Sequence, residues 1–105
     1  MAAAIGAYKN GVRDILLIER DQFLGGILNQ CIHPGFGLQY FKEELTGPEY
    51  AARFIDEIKA IKEIEISLQS FVVKLTKSRT ITYLKPGSLE EVRAKAVIMA
   101  TGCRE

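Results

Sequence analysis

The stretch Ile15-Leu16-Leu17-Ile18-Glu19-Arg20 decides the fold, because four consecutive apolar residues end there on an acid and a base. An uninterrupted apolar run of this length is typical of a strand buried on both faces of a parallel sheet. The segment before it, Ala2 to Asn10, is rich in alanine and carries Ile5 and Tyr8 on one side. Gly11 is suited to end a helix in the left-handed conformation. The sequence therefore predicts an α/β domain in which a helix precedes a buried strand.

The chain after this strand predicts one more helix and four more strands. An irregular, glycine-rich segment from Asp21 to Leu45 is followed by Thr46-Gly47-Pro48-Glu49, the pattern of a capping box, and by apolar residues at helical spacing to about Lys62. The predicted strands are Ile64 to Leu68, Phe71 to Leu75, Thr80 to Leu84 and Val92 to Ala100. We interpret residues 71–95 as an antiparallel meander, inserted before a last strand that re-enters the main sheet.

Length and composition exclude several classes of function. The chain has 105 residues, at most one domain and short for a complete doubly wound nucleotide domain. Fourteen basic and thirteen acidic residues leave almost no net charge, so nothing favours nucleic acid or an anionic membrane as a partner. No apolar stretch approaches the length of a membrane span, and the first residues lack a signal-peptide pattern. We therefore expect a cytoplasmic protein.

Three features together resemble the FAD-binding domain of the pyridine nucleotide-disulfide oxidoreductase superfamily. They are Glu19 at the end of the apolar strand, the pair Gly25-Gly26 a few residues later, and Ala100-Thr101-Gly102 after a second apolar run. The resemblance implies a Rossmann-like fold, with a parallel sheet, helices and an antiparallel meander. Such domains open with a strand and a G-x-G-x-x-G turn that binds the pyrophosphate. The expectation is thus a single partial FAD-binding domain over residues 1–105, lacking that first strand and turn.

The resemblance also assigns roles to single residues near the first strand. Glu19 would accept hydrogen bonds from the ribose hydroxyls of FAD, and the alternative is a solvated acid after a strand. Arg20 would lie along the adenine or remain exposed. Gly25 and Gly26 would let the backbone approach the flavin, although paired glycines are common in loops.

Val72 and the tripeptide Ala100-Thr101-Gly102 also carry roles under the same resemblance. The backbone of Val72 would meet the adenine, and the alternative is a core valine. Ala100, Thr101 and Gly102 would return the chain to the sheet beside the cofactor, where glycine permits close approach of the backbone.

Cys31 and His33 lie in the irregular segment and invite a redox or metal interpretation. Asn29, Cys31 and Pro34 resemble the start of the redox-active loop of disulfide reductases, but an aliphatic residue stands where those enzymes have their first cysteine. A closed zinc site would need two more ligands, and Cys103 is the only other sulfur of this type. We expect no metal site, two reduced thiols, a Cys31 that packs as a small apolar group and a His33 that helps to shape the loop.

The stretches Gly26 to Gly37 and Phe41 to Tyr50 resemble flavoproteins grouped with anaerobic glycerol-3-phosphate dehydrogenases and sarcosine oxidase alpha subunits. The resemblance implies an FAD-dependent oxidoreductase whose nicotinamide-binding domain and substrate-selecting residues lie beyond Glu105. Residues 1–105 would then be its FAD-binding portion, inactive alone and partnered by the remainder of the flavoprotein. The alternative is a non-catalytic structural or interaction module that pairs through exposed sheet edges. A thiol-based redox protein is a third interpretation.

The family's sheet order also predicts association. In that order the absent strand lies between Ile15–Glu19 and Val97–Gly102, so both neighbours would carry unpaired backbone. These two strands could close against each other in one chain, or pair with a second copy. The apolar side chains that would lack cover are Leu16, Ile18, Val97 and Met99. Since bare edges are rare in native proteins, we expect a homo-oligomer.

Overall fold

The computed structural model describes residues 1–103 and shows a mixed α/β fold. The elements are α1 (Ala2–Lys9), β1 (Ile15–Ile18), a 3-10 helix (Gly26–Gln30), α2 (Gly47–Lys59), β2 (Ile64–Ser67), β3 (Phe71–Leu75), β4 (Thr80–Lys85) and β5 (Ser88–Arg93). The strands form two sheets, a parallel pair β1-β2 and an antiparallel sheet in the order β3-β4-β5. No helix within residues 1–103 has the length and apolarity needed to cross a bilayer.

The apolar run Ile15–Ile18 forms the predicted strand, and α2 connects it to its parallel neighbour. Ile15 pairs with Ile64 and Ile18 pairs with Ser67. All four residues of β1 are half-buried, so the prediction of burial on both faces is wrong. The reason is that the core packs on one face of β1, against Ile15 and Leu17, while Leu16 and Ile18 on the other face are not part of it.

The core lies between this parallel pair and the two helices. Its buried members are Ala4, Ile5, Phe54, Ile58 and Ile64, against which Ile15, Leu17 and Ile66 pack. Alternate residues of a strand point to one face, so the odd-numbered residues of β1 face the helices. Ile58 of α2 is fully buried in this core, and full burial of a large aliphatic side chain stabilises by roughly 1.5–3 kcal/mol.

The helix boundaries follow the predicted signals closely. The Thr46 hydroxyl accepts from the Glu49 amide at 3.3 Å, and the Glu49 carboxylate accepts from the Thr46 amide at 2.9 Å, which confirms the capping box. Hydrogen bonding of the Glu49 carboxylate to Thr46, chiefly to the Thr46 amide, holds the pKa of Glu49 below its ordinary value. The helix ends at Lys59 rather than Lys62. Gly11 ends α1 with φ of 101°, as predicted.

The predicted strand from Val92 to Ala100 is wrong. β5 ends at Arg93, and residues 94–103 form no helix or strand. The hairpin of β4 and β5 turns at the predicted Pro86-Gly87, with Lys85 paired to Ser88. Beyond it, Ile98 is 68% exposed and Met99 is 71% exposed. A strand requires a neighbour for its backbone hydrogen bonds, and none of the described strands pairs with this segment, so the last strand does not re-enter the parallel sheet.

Candidate site at the carboxyl end of the parallel strands

The carboxyl ends of β1 and β2 meet at one edge of the parallel sheet, where open α/β sheets commonly bind their ligands. The Glu19 amide donates to the Ser67 carbonyl at 2.9 Å, and the Glu19 carbonyl accepts from the Ser70 amide at 2.9 Å. The Gln69 amide donates to the Asp21 carbonyl at 3.0 Å. The backbone of Glu19 is therefore fixed by the connection between β2 and β3.

Ser70 is a residue of this site that sequence reasoning missed. It is 1% exposed, and its hydroxyl donates to the Leu68 carbonyl at 2.9 Å. Its other hydrogen bond, at 2.7 Å, joins it to the Ser67 hydroxyl. Gln69, which lies between Leu68 and Ser70 in the chain, has φ of 50°. The sequence signal at this point is the polar pair Gln69-Ser70 between two predicted strands. Such a pair predicts a turn and gives no reason to expect that the Ser70 hydroxyl is buried.

The Glu19 side chain is half-buried at this edge. Its Oε1 accepts from the Asp21 amide at 3.0 Å, and no donor among residues 1–103 reaches Oε2. A carboxylate held in this way has one oxygen oriented by the backbone and one available to a ligand. Arg20 is exposed, with Nε 3.8 Å from the Asp21 carboxylate, so its ion-pair partner in the structure is Asp21.

Gly25 has a structural reason to be glycine. It precedes the 3-10 helix with φ of 115°, and a Cβ there would lie 3.1 Å from the Ala51 Cβ of α2 and 2.9 Å from Nδ2 of Asn29. Gly26 has φ of 56° and is exposed, with open space where a Cβ would stand. The pair therefore brings the loop against α2 through Gly25 and leaves the backbone of Gly26 accessible.

Gly47 is a second residue that sequence reasoning missed as a packing position. A Cβ on Gly47 would lie 2.6 Å from the Cys31 carbonyl oxygen and would also clash with the Leu28 carbonyl oxygen. The Gly47 amide donates to the Cys31 carbonyl at 2.7 Å. The first turn of α2 thus holds the end of the 3-10 helix at backbone contact.

The remaining predicted cofactor residues divide into two groups. Val72 lies in β3, paired with Tyr83 and 43% exposed, two residues beyond the contact of Ser70 with Glu19. Ala100, Thr101 and Gly102 are exposed, and no hydrogen bond among residues 1–103 joins them to Glu19 or to the Gly25-Gly26 pair. The structure therefore brings Glu19 close to the start of β3, near Val72. It does not connect the tripeptide Ala100-Thr101-Gly102 to Glu19 or to the Gly25-Gly26 pair.

Cys31 and His33 are held by local contacts. Cys31 is a half-buried free thiol whose Sγ lies 3.3 Å from the Ile27 carbonyl oxygen, and Cys103 is free and exposed. His33 is exposed, with its ring centroid 5.2 Å from that of Phe36. No group of three or more His, Cys, Asp or Glu side chains within residues 1–103 could hold a metal ion.

Two open depressions lie on the surface, and the lining of the first includes Gln69, whose amide donates to the Asp21 carbonyl. One of about 600 Å³ is bounded by Phe71, Leu89 and the Pro86-Gly87 turn, and one of about 530 Å³ is bounded by residues 35–40 and Tyr50. None of the predicted cofactor residues lines either depression. Glu19 therefore lies at a sheet edge beside the first depression and lines neither of the two.

Comparison of the chain with protein-family models, with curated proteins and with solved structures found no match.

Proposed function

We propose that residues 1–105 are the FAD-binding portion of a Rossmann-like oxidoreductase domain, and that Glu19 receives the ribose of the adenosine. The observation that carries the proposal is the Glu19 carboxylate, which follows a parallel strand and keeps Oε2 open while Asp21 orients Oε1. A ribose presents two hydroxyl donors, and a carboxylate is a charge-assisted acceptor for them. Bound FAD would supply the electron chemistry, and the protein would supply binding and orientation.

The backbone around Glu19 supports the same role. Hydrogen bonds to Ser67 and Ser70 fix both the amide and the carbonyl of Glu19, and the Asp21 amide orients Oε1, so the carboxylate would be positioned before a ligand arrives. Preorganisation lowers the entropy cost of binding. Val72 is an exposed residue of β3, two residues beyond Ser70. A planar base could lie against the backbone of β3 at this position.

An NMR titration of the chain with ADP, the adenosine end of FAD, tests this assignment. We expect amide shifts confined to Glu19–Asp21 and Gln69–Val72, and a loss of affinity of about tenfold or more in Glu19→Gln, since a hydrogen bond to a charged group contributes roughly 1.5–3 kcal/mol. Glu65→Gln is the matched control, because Glu65 is an exposed carboxylate in the middle of β2. Shifts at the depression beside Tyr50, or equal losses in both variants, would contradict the proposal.

A second candidate is a non-catalytic module that associates through its sheet edges. The observation that favours it is the parallel sheet of two strands, whose β1 has one edge unpaired within the described chain. The ADP titration separates the candidates, because amide shifts at Glu19–Asp21 that Glu19→Gln abolishes support the first, and a stable oligomer without such shifts supports the second.

A further inference from the structure

The open edge of β1 offers backbone groups of two residues. Ile15 donates to the Glu63 carbonyl at 3.2 Å and Glu19 donates to the Ser67 carbonyl at 2.9 Å, so the odd-numbered residues direct their amides toward β2. Successive residues of a strand direct their backbone groups to opposite edges. Leu16 and Ile18 therefore direct theirs to the edge where no described strand pairs.

This edge lacks the features that protect other sheet edges from association. Native edges carry charges, prolines or bulges. In the antiparallel sheet, β3 carries Lys74 and an irregularity in register beside it, and β5 carries Glu90, Glu91 and Arg93. The four residues of β1 are all apolar, and its pairing with β2 is regular throughout.

The chain also exposes more surface than a folded monomer of its size. Its accessible surface is 7769 Å², whereas the scaling for a monomer of 11.7 kDa gives about 5,900 Å². The excess is about 1,900 Å², and a specific protein complex of standard size removes about 800 Å² from each partner. The chain as a whole therefore has surface to spare for an interface of standard size.

We propose that β1 pairs antiparallel with β1 of a second copy of this chain, about a two-fold axis at Leu17, to give a sheet of four strands. Leu16 then lies opposite Ile18 of the second copy, and each pair exchanges two backbone hydrogen bonds. Leu17 faces its own counterpart on the side of the helices. An interface with this symmetry is self-complementary, since every contact occurs twice.

The charges that flank β1 select this register. With the axis at Leu17, Asp14 lies opposite Arg20 of the second copy, and both residues are exposed. Opposite charges directly across a strand pair stabilise it, and like charges destabilise it. Moving the axis by one residue, to Leu16, places Asp14 opposite Ile18 and loses both charge pairs. The net charge of +1 gives two copies little reason to repel each other.

This inference does not rest on FAD binding, and its experiment involves no nucleotide. Sedimentation over a range of micromolar concentrations should show a monomer–dimer equilibrium. Hydrogen exchange should show protection of the Leu16 and Ile18 amides that grows with concentration, whereas the Leu17 amide, bonded toward β2, should be protected throughout. A monomer in which the Leu16 and Ile18 amides exchange freely at the highest concentration overturns the proposal.

Charge reversal tests the register. Asp14→Arg and Arg20→Asp should each raise the dimer dissociation constant about 10- to 100-fold, because two attractive pairs become repulsive, and the combination of both changes in one chain should restore it. Glu91→Arg and Arg93→Asp make the same charge changes at exposed positions of β5 and should leave the constant unchanged. A dimer that responds to the β5 changes, or that ignores Asp14 and Arg20, refutes pairing through β1.

Discussion

Replacement of Gly47 by alanine should destabilise the fold by about 2–4 kcal/mol. The added Cβ would stand 2.6 Å from the Cys31 carbonyl oxygen and against the Leu28 carbonyl oxygen, and neither backbone atom can turn aside as a flexible side chain would. Separation of α2 from the 3-10 helix would lengthen the 2.7 Å hydrogen bond from the Gly47 amide to Cys31. Overpacking costs about 1–3 kcal/mol, and a lost hydrogen bond costs about 0.5–1.5 kcal/mol.

Urea denaturation followed by circular dichroism, at one fixed protein concentration, measures this effect. Gly6→Ala is the control, because Gly6 lies in α1 with no atom within 4 Å of the position that a Cβ would occupy. That change should stabilise the protein by roughly 0.5–1 kcal/mol, since alanine favours the helix over glycine. The two substitutions add the same methyl group and should act in opposite directions. A loss below about 0.5 kcal/mol in Gly47→Ala would refute the reasoning from close packing.

The remaining predictions concern the cofactor and the helix cap. The polypeptide of residues 1–105 should not retain stoichiometric FAD after gel filtration, because it contains no glycine turn to supply amides to the pyrophosphate, and a flavin spectrum of one FAD per chain would refute this. A polypeptide extended ahead of Met1 by a strand and a G-x-G-x-x-G turn should bind FAD more tightly, and Glu19→Ala in it should weaken binding by roughly 1.5–3 kcal/mol. The depressed pKa of Glu49 means that its contribution to stability is present above its unfolded pKa and is lost as pH falls through its folded pKa. Urea denaturation of wild type and Glu49→Gln should therefore differ at neutral pH and converge in acid.

Local signals in the sequence predicted most of the helices and strands. The capping box at Thr46-Glu49 and the apolar spacing after it gave α2, and the run Ile15–Ile18 gave β1. The contact of Gly47 with Cys31 could not be predicted, because it depends on where a loop returns in space. The burial of Ser70 could not be predicted for the same reason, because it follows from the approach of β3 to the end of β1.

For the segment from Val97 to Gly102, the sequence predicted a strand that the structure does not contain. Its apolar residues have strand propensity, but propensity forms a strand only when a neighbour accepts its backbone hydrogen bonds. The expectation that it would close against β1 in one chain is not met within residues 1–103. The other expectation, pairing with a second copy, stays a prediction.

The measurement that tests the central claim most directly is a thermodynamic cycle between Glu19 and the ribose hydroxyls. Dissociation constants of wild type and Glu19→Gln would be measured for ADP and for its 2′,3′-dideoxy analogue. The proposed role predicts that Glu19→Gln weakens ADP about tenfold or more and leaves the affinity for the dideoxy analogue unchanged, because coupling between two groups appears only when both are present. An equal effect of the substitution on both nucleotides would contradict it.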